Sequence, residues 1–307
     1  MMATAQRPSG SRDEALHLDI PRRGPLVWAF GLGARGFVLG ARYVPLLVIV
    51  VIFVLPLAWM VDASLKPGYD VFQFKMDWVP NPVEFSNYPR ALTFLPFWRF
   101  FLNTMFVTGF SLVGCLVSNT LIAYAFARLK ARWREPLFYV VLATLMLPYA
   151  VTLIPQYSIY ARLGLINTFW PLIIPNWFGN PFFIFLLRQF FKGIPSELEE
   201  ACAIDGAGLV RTIVRIIVPL SWPALVTVTI FQVQSTWNDF LGPLVYLNSQ
   251  SKYTLQVGLD YFITQHTGSW NYLMAATTVV VVPIIVLFYF GQRLFIRGIV
   301  LGTAGYK

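Results

Sequence analysis

Charged residues are scarce in this sequence. Asp, Glu, Lys and Arg make up 12% of its 307 residues, whereas hydrophobic residues make up 57%. A soluble globular domain contains roughly twice this charged fraction, about 25%. The composition therefore excludes an ordinary water-soluble domain and indicates a protein of the lipid bilayer. The sequence also has no series of alternating ten-residue strands, which argues against a β-barrel.

Residues that bind metals, form disulfides or hold nucleotides are also few. The only cysteines are Cys115 and Cys202, and the only histidines are His17 and His266. Each pair is separated in the topology predicted below, so we expect neither a disulfide nor a metal cluster. No Gly-x-x-x-x-Gly-Lys-Ser/Thr loop is present, which excludes an ATP site of that type. Asp239 is the one clear acid within a predicted span, so a proton relay is not expected and the energy source should lie outside this chain.

Long apolar runs fill most of the chain. A spanning helix needs about 20 mostly apolar residues, and six windows meet this requirement. They are Val44–Val61, Phe100–Phe126, Leu137–Tyr157, Phe169–Phe191, Pro223–Leu247 and Tyr272–Phe295. The sequence thus predicts an all-α integral membrane protein with about six transmembrane helices at 43–307. Residues 1–42 are rich in Gly, Arg and Ser and predict a flexible cytoplasmic tail.

The basic residues predict the orientation of these spans. If the N-terminus is inside, 17 of the 23 Lys and Arg residues fall in or beside the inner segments and 6 in the outer ones. The positive-inside rule then places both termini in the cytoplasm, together with the segment between the fourth and fifth windows. The net charge of +9 follows from this asymmetry. It does not require a nucleic-acid partner.

That segment between the fourth and fifth windows is polar. Ser196 followed by Glu199 forms a potential capping box, so a short helix is expected to begin near Ser196. Glu197, Glu199 and Glu200 would lie in its first turn, where the positive end of the helix dipole favours carboxylates. Gly206 permits a sharp reversal that other residues resist. The segment therefore predicts a short helix, a turn and a second helix in water, a shape suited to contact with a soluble partner.

This segment, residues 193–220, resembles the Glu-Ala-Ala coupling loop of ABC importer permeases. The family pattern is Glu-Ala-Ala, three residues, Gly, nine residues, Ile, one residue and Leu-Pro. The residues that match it at the correct spacing are Glu200, Ala201, Gly206, Ile216 and Pro219. Cys202 replaces the second Ala and Val218 replaces the Leu, and both replacements keep a small or apolar side chain.

Other segments resemble the carbohydrate-uptake, maltose-type branch of this family. They are Leu186–Pro195, Ala123–Arg128, Leu163–Thr168, Trp237–Leu244, Tyr253–Leu255 and Phe295–Gly298. The resemblance extends from about Val44 to Lys307 and leaves only the N-terminal tail outside it. It implies the type I ABC importer permease fold, with a cytoplasmic coupling helix.

The resemblance also implies partners and a location. The expected partners are a second permease subunit in a heterodimer, two cytoplasmic ATPases, an extracytoplasmic solute-binding protein and the lipid bilayer. ATP and Mg would bind in the ATPases, so this chain would be no enzyme and would hold no cofactor. The location implied is the cytoplasmic or inner membrane of a bacterium or archaeon.

The resemblance assigns ATPase coupling to one set of residues. They are Glu197, Glu199, Glu200, Ala201, Ala203, Asp205, Gly206, Ile216 and Pro219. Among them Glu200 is expected to form an ion pair or cap contact, and Ala201 and Ala203 to permit close approach. For Glu197 and Glu199, a solvated helix face is the alternative.

The solute pathway is predicted from polar and aromatic residues of the fifth window. The candidates are Gln232, Gln234, Ser235, Trp237, Asn238 and Asp239. Polar groups in a span face the interior or a water-filled path, but they also join helices by hydrogen bonds, which is the role favoured for Asn238 and Asp239. The predicted cargo is a sugar or related polyol. The alternatives are an ABC permease for a non-sugar solute and a self-sufficient secondary carrier; an integral-membrane enzyme would need catalytic groups that are not found.

Overall fold

The computed structural model describes the backbone of residues 25–68, 71, 78–265 and 269–304. Within these residues the secondary structure is helical. The α-helices are α1 Pro25–Ser64, α2 Asn87–Phe94, α3 Phe97–Arg128, α4 Arg134–Ala143, α5 Tyr149–Arg162, α6 Trp170–Ile173, α7 Pro181–Lys192, α8 Glu197–Ile204, α9 Leu209–Thr212, α10 Val218–Leu220, α11 Trp222–Trp237, α12 Leu241–Tyr246, α13 Leu255–Gln265 and α14 Trp270–Ala304. Short helical turns at Thr144–Met146, Ile174–Trp177, Ile213–Ile217 and Gln250–Lys252 join or extend them.

Four stretches of the described chain are long and apolar enough to cross a membrane. They are Tyr43–Ser64, Phe97–Arg128, Trp170–Lys192 and Trp270–Gln292. Two further spans are bent pairs: Arg134–Met146 with Tyr149–Arg162 at 98°, and Leu209–Leu220 with Trp222–Trp237 at 82°. Counting each bent pair as one span gives six, the number that the hydropathy windows predict.

The bends correct two of the predicted boundaries. The third window ran through Pro148, but this residue has an extended backbone and precedes α5. Proline has no N–H to donate to the preceding turn, so a helix readily ends there. The fifth window ran to Leu247, whereas α11 ends at Trp237 and a separate short helix, α12, follows.

Helix α1 begins at Pro25, which lies inside the segment predicted to be a tail. The tail prediction for residues 1–24 falls outside the described residues. The chain consists of two compact units, residues 1–57 and residues 58–307. The second unit contains the helices discussed below.

Helix α3 is the central helix of the unit 58–307. Its side chains belong to all three buried apolar clusters, through Cys115 and Ala123, through Phe100, and through Val107. Helices α7 and α11 pack directly against it. Because α3 contacts so much of the apolar interior, a displacement at one of its ends is resisted along its whole length.

A polar clamp holds the interruption between α6 and α7. The side-chain oxygen of Asn119 in α3 accepts a hydrogen bond from the Asn180 amide at 2.7 Å, and Asn180 caps α7 through the Phe182 amide at 2.9 Å. Gly179 adopts a φ of 90°, which favours glycine. The backbone groups freed by the interruption are thereby satisfied inside the protein, as a membrane interior requires.

Candidate coupling site and solute cavity

The predicted coupling helix is present as α8, Glu197–Ile204, with three acids in its first turn. The capping box is not: Ser196 has a helical backbone conformation and its side chain forms no capping hydrogen bond. A side-chain oxygen reaches the free amides of the first turn only when the cap residue is outside the helical region. The electrostatic preference of the acids for this end is therefore the remaining local signal for the start of α8.

The reversal after α8 occurs at Gly206, as the sequence predicted. Its φ is 76°, and the turn is closed by a hydrogen bond from the Ala207 amide to the Cys202 carbonyl at 2.9 Å. Nothing lies within 4 Å of the position that a Cβ on Gly206 would occupy. Glycine is thus required by the backbone conformation and not by a lack of space.

Glu199 attaches α8 to the end of α3. Its carboxylate lies 2.7 Å from Nε of Arg128 and accepts a hydrogen bond of 2.7 Å from the Tyr124 hydroxyl. The side chains of Glu199 and Arg128 are only 15% and 17% exposed. We call Glu199, Tyr124 and Arg128 the Glu199 clasp. Contacts of a carboxylate with charged and hydroxyl donors in such partial burial are stronger than neutral hydrogen bonds.

Arg128 also joins the clasp to α7. Its guanidinium donates to the carbonyl of Phe191 at 2.8 Å and to the carbonyl of Ile194. These carbonyls lie at and beyond the last turn of α7, where helical carbonyls have no partner within the helix. One arginine thus connects the ends of α3, α7 and α8.

A second arginine joins α7 to α3 and α4 beside the clasp. Arg188 of α7 is 3% exposed and donates to both carboxylate oxygens of Glu135 at 2.6 Å. Its Nε donates to the Phe126 carbonyl at 3.1 Å, and its guanidinium lies 3.9 Å from the centre of the Phe138 ring. A planar guanidinium can make the carboxylate, carbonyl and ring contacts at the same time, which an ammonium group cannot.

The loop of α8 and α9 exposes apolar side chains. Ile204 is 86% exposed and Val210 is 70% exposed. Glu197, Glu200 and Ala203 are exposed as well. None of the ion pairs formed by the described residues includes Glu200. The loop thus presents both apolar and charged side chains, as protein contact surfaces do.

The remaining predicted coupling residues lie close by. Asp205 and Ala201 are exposed at α8, Pro219 is exposed in α10, and Ile216 is half-buried in the turn before α10. All nine coupling candidates thus lie in one loop, and of the nine only Glu199 forms a side-chain hydrogen bond or ion pair with α3.

A cavity of about 330 Å³ lies toward the other end of α3. It is bounded by α3, α5, α6, the end of α11 and the segment that follows it. Its polar lining consists of Thr104, Tyr149, Gln156, Asn176, Ser235, Thr236, Asp239 and Thr254. Hydroxyls, amides and a carboxylate on an apolar frame are the groups that bind small polar molecules.

The structure places only some of the predicted pathway residues at this cavity. Ser235 and Asp239 line it. Gln234 instead lines a second cavity beside α14, and Asn238 is exposed, with only a long contact of 3.4 Å from the Gln256 amide. Asp239 also accepts a hydrogen bond from the Gly242 amide at 3.1 Å and so caps α12.

Gln232 and Trp237 do not line either cavity. Gln232 is 3% exposed and donates to Asn176 at 3.0 Å. Trp237 is 3% exposed, and its indole donates to the Val280 carbonyl at 3.2 Å. Both side chains join helices in the interior of this subunit, and their assignment to the pathway stays a prediction.

Sequence reasoning missed several residues that shape the coupling site and the cavity. Tyr124 and Arg128 are one helical turn apart, and this spacing on a span that ends at Arg128 was an available signal. Tyr149, Gln156 and Thr254 come from segments distant in sequence, so no local pattern connects them with Asp239. Within the described residues, no cluster of His, Cys, Asp and Glu could hold a metal ion.

Comparison with known families agrees with this arrangement of spans and loop. Residues 119–300 match the model of the family described as "Binding-protein-dependent transport system inner membrane component". The match begins within the last third of α3 and extends through the Glu199 clasp, the coupling helix and α11. The chain belongs to this family. It is therefore a membrane permease component of a transport system.

Curated relatives of this family member are sugar and ABC transporter permeases. The chain is 31% identical over 254 residues to the arabinooligosaccharides transport system permease protein AraQ of Halalkalibacterium halodurans, covering 82% of this chain and 91% of the relative. It is 34% identical over 254 residues to the probable ABC transporter permease protein YurM of Bacillus subtilis, covering 81% and 82%. The diacetylchitobiose uptake system permease protein NgcG of Streptomyces coelicolor is 30% identical over 256 residues, covering 82% and 84%.

Solved structures show the same fold. A chain in the crystal structure of a bacterial ABC transporter for the import of the acidic polysaccharide alginate superposes with a TM-score of 0.72 at 25% identity. The superposition covers 90% of this chain and 99% of that one. The permease is thus an all-α integral membrane protein with the fold of an ABC importer subunit.

Proposed function

We propose that this permease forms half of the translocation pathway for a sugar or related polyol, and that α8 couples it to cytoplasmic ATPases. The observation on which the proposal depends most is the loop of α8 and α9. It is fixed to α3 through Glu199, and it also exposes Ile204 and Val210. Because the basic residues favour a cytoplasmic position for this loop, we expect a partner protein and not lipid to cover its apolar side chains.

The clasp supplies the mechanical connection in this proposal. A helix that packs in one discrete arrangement transmits rigid-body movement to the element it is attached to. Movement of α8 by an ATPase would act on α3 at Tyr124 and Arg128. Thr104 of the cavity lies on the same helix, about 30 Å away at 1.5 Å per residue.

The partners follow from the family and the shape of the chain. We expect a second permease subunit in a heterodimer to complete the pathway and two ATPases, which bind ATP and Mg, to contact the α8 loops. An extracytoplasmic solute-binding protein would deliver the cargo. The distribution of basic residues supports cytoplasmic termini and a cytoplasmic α8. The permease itself would hydrolyse nothing.

The names of the relatives support a sugar as the cargo. AraQ and NgcG are named for arabinooligosaccharides and diacetylchitobiose, both of which are carbohydrates. The cavity lining of hydroxyl, amide and carboxylate groups suits a hydroxyl-rich solute.

Reconstitution tests the proposal. The permease pair, its ATPase and its binding protein would be placed in proteoliposomes, and uptake of labelled neutral sugars would be measured with each component omitted in turn. We expect uptake of at least one sugar that requires ATP and every component. Uptake that persists without ATP or the ATPase would contradict the proposal and indicate a secondary carrier, and ATP-dependent uptake of a non-sugar alone would contradict the cargo.

A further inference from the structure

We infer that the cavity around Asp239 is a binding subsite for a neutral, hydroxyl-rich ring and that it discriminates against anionic solutes. The inference rests on the proposed function, since it specifies which cargo the permease accepts. It concerns a cavity of about 330 Å³, a volume at the lower end of the range for small-molecule sites.

Interrupted helices surround this cavity. Tyr149 begins α5 directly after the 98° bend, Asn176 lies in the turn between α6 and α7, and Asp239 lies between α11 and α12. Non-helical backbone at membrane depth is tolerated only where it is buried in protein or lines a water-filled space. In transporters, interrupted helices near the middle of the membrane form the solute site. Three interruptions at one cavity therefore indicate a place where a polar solute binds.

The cavity contains polar atoms whose bonding capacity is unused. Thr254 is 4% exposed, and its hydroxyl has no hydrogen-bond partner although it lines the cavity. Asp239 accepts only one hydrogen bond, from the Gly242 amide, and forms none of the ion pairs of the described residues. A half-buried carboxylate with unused acceptor capacity favours a hydrogen-bond donor beside it. A ring with adjacent hydroxyl groups would donate to the carboxylate.

The charge of the lining determines which solutes are favoured. The carboxylate of Asp239 is its one charged group, and none of the lining residues that the structure describes is Lys or Arg. An anionic ring would meet a like charge at this carboxylate, which disfavours its binding. A hydroxyl-rich neutral ring meets only hydrogen-bond acceptors and donors. An acidic cargo, such as the alginate of the structurally similar importer, would need basic groups that this lining lacks.

The test compares Asp239→Asn with wild-type permease in the reconstituted importer. Labelled neutral sugars are the cargo, and their uronic-acid counterparts are the competitors. We expect Asp239→Asn to raise the KM for a neutral sugar about tenfold, because a hydrogen bond to a charged group becomes one to a neutral group. We also expect it to bind the acidic counterpart better than wild type does. Asp260→Asn, an acid-to-amide change outside the cavity lining, is the matched control.

A second variant guards against a folding effect of the first. Ser235→Leu fills the cavity from an exposed lining position, so uptake should fall at least tenfold while co-purification with the ATPase stays normal. Unchanged KM and competition in Asp239→Asn, or normal uptake in Ser235→Leu, would overturn the subsite. Failure of the proposed function would look different, because wild type itself would then show no ATP-dependent uptake of sugar.

Discussion

Removing the Glu199 carboxylate should separate ATP hydrolysis from transport. Glu199→Ala deletes two contacts of 2.7 Å, one to Arg128 and one to Tyr124, and leaves a guanidinium that is 17% exposed without its carboxylate. The Tyr124 hydroxyl donates a hydrogen bond to this carboxylate, which contributes about 1.5 to 3 kcal/mol, whereas the Arg128 contact is an ion pair without hydrogen-bond geometry. Ala has the highest helix propensity, and Glu197 and Glu200 stay in the first turn, so α8 itself is weakened only slightly.

The magnitude follows from these two contacts. Allowing for partial solvent access, the loss is about 3 kcal/mol, at the low end for breaking a buried ion pair. At 1.36 kcal/mol for each factor of ten, the attached position of α8 becomes about 150-fold less favoured. Tyr124→Phe removes only the 2.7 Å hydrogen bond, so its effect should be about 1.5 kcal/mol. The double variant should lose less than the sum of the two, because both changes remove the same contact.

The assay is the amount of solute imported for each ATP hydrolysed in proteoliposomes. Because Glu199→Ala leaves Ile204 and Val210 in place, we expect normal co-purification with the ATPase, continued ATP hydrolysis and uptake reduced at least tenfold. Glu84→Ala, the same change at a residue outside the coupling loop, should leave the ratio unchanged. A normal ratio in Glu199→Ala would refute the clasp as the connection between α8 and α3.

Three further predictions concern backbone and packing. Gly206→Ala should reduce coupling, since a side chain at a φ of 76° costs about 1 to 2 kcal/mol. Gly208→Ala is the control and should not reduce coupling, because a Cβ there also has open space. Uptake assays compare the two variants. Arg188→Lys should lower thermal stability in detergent by about 2 to 3 kcal/mol, because an ammonium cannot keep the Glu135 pair, the Phe126 hydrogen bond and the ring contact at the same time. Gly258→Ala would place a Cβ 2.4 Å from the buried ring of Phe100 and should lower the free energy of unfolding by about 1 to 3 kcal/mol in the same thermal melts. Gly109→Ala is the control: nothing lies within 4 Å of its Cβ position, so the change should be neutral or slightly stabilising.

Features that depend on local sequence could be predicted. The number of spans follows from hydropathy, because each span must bury about 20 apolar residues whatever its neighbours are. The acids of α8 and the turn at Gly206 follow from the helix dipole and from the steric freedom of glycine. The family resemblance in the coupling loop was likewise visible in the sequence, and the family match confirms it.

Features that depend on packing between distant segments could not be predicted from the sequence. The bend before Tyr149 and the end of α11 at Trp237 lie inside continuous apolar runs, where hydropathy does not register a change of direction. The pairing of Glu199 with Arg128 joins residues far apart in sequence. Gln232 is predicted to line the pathway, but a polar side chain in a span can also join helices. Its hydrogen bond to Asn176 depends on how the helices pack and could be found only in the structure.

Cross-linking of the α8 surface tests the central claim most directly. Ile204→Cys would be introduced with Cys115 and Cys202 replaced by Ser, and the ATPase would be co-expressed in intact cells. The account predicts a cross-link between position 204 and the ATPase, and no labelling of position 204 by a membrane-impermeant thiol reagent added outside. Leu163, which is 64% exposed beyond α5, provides the control. Leu163→Cys should be labelled from outside and should form no cross-link to the ATPase. Labelling of position 204 from outside, with no cross-link to the ATPase, would contradict the assignment of α8 as the coupling helix.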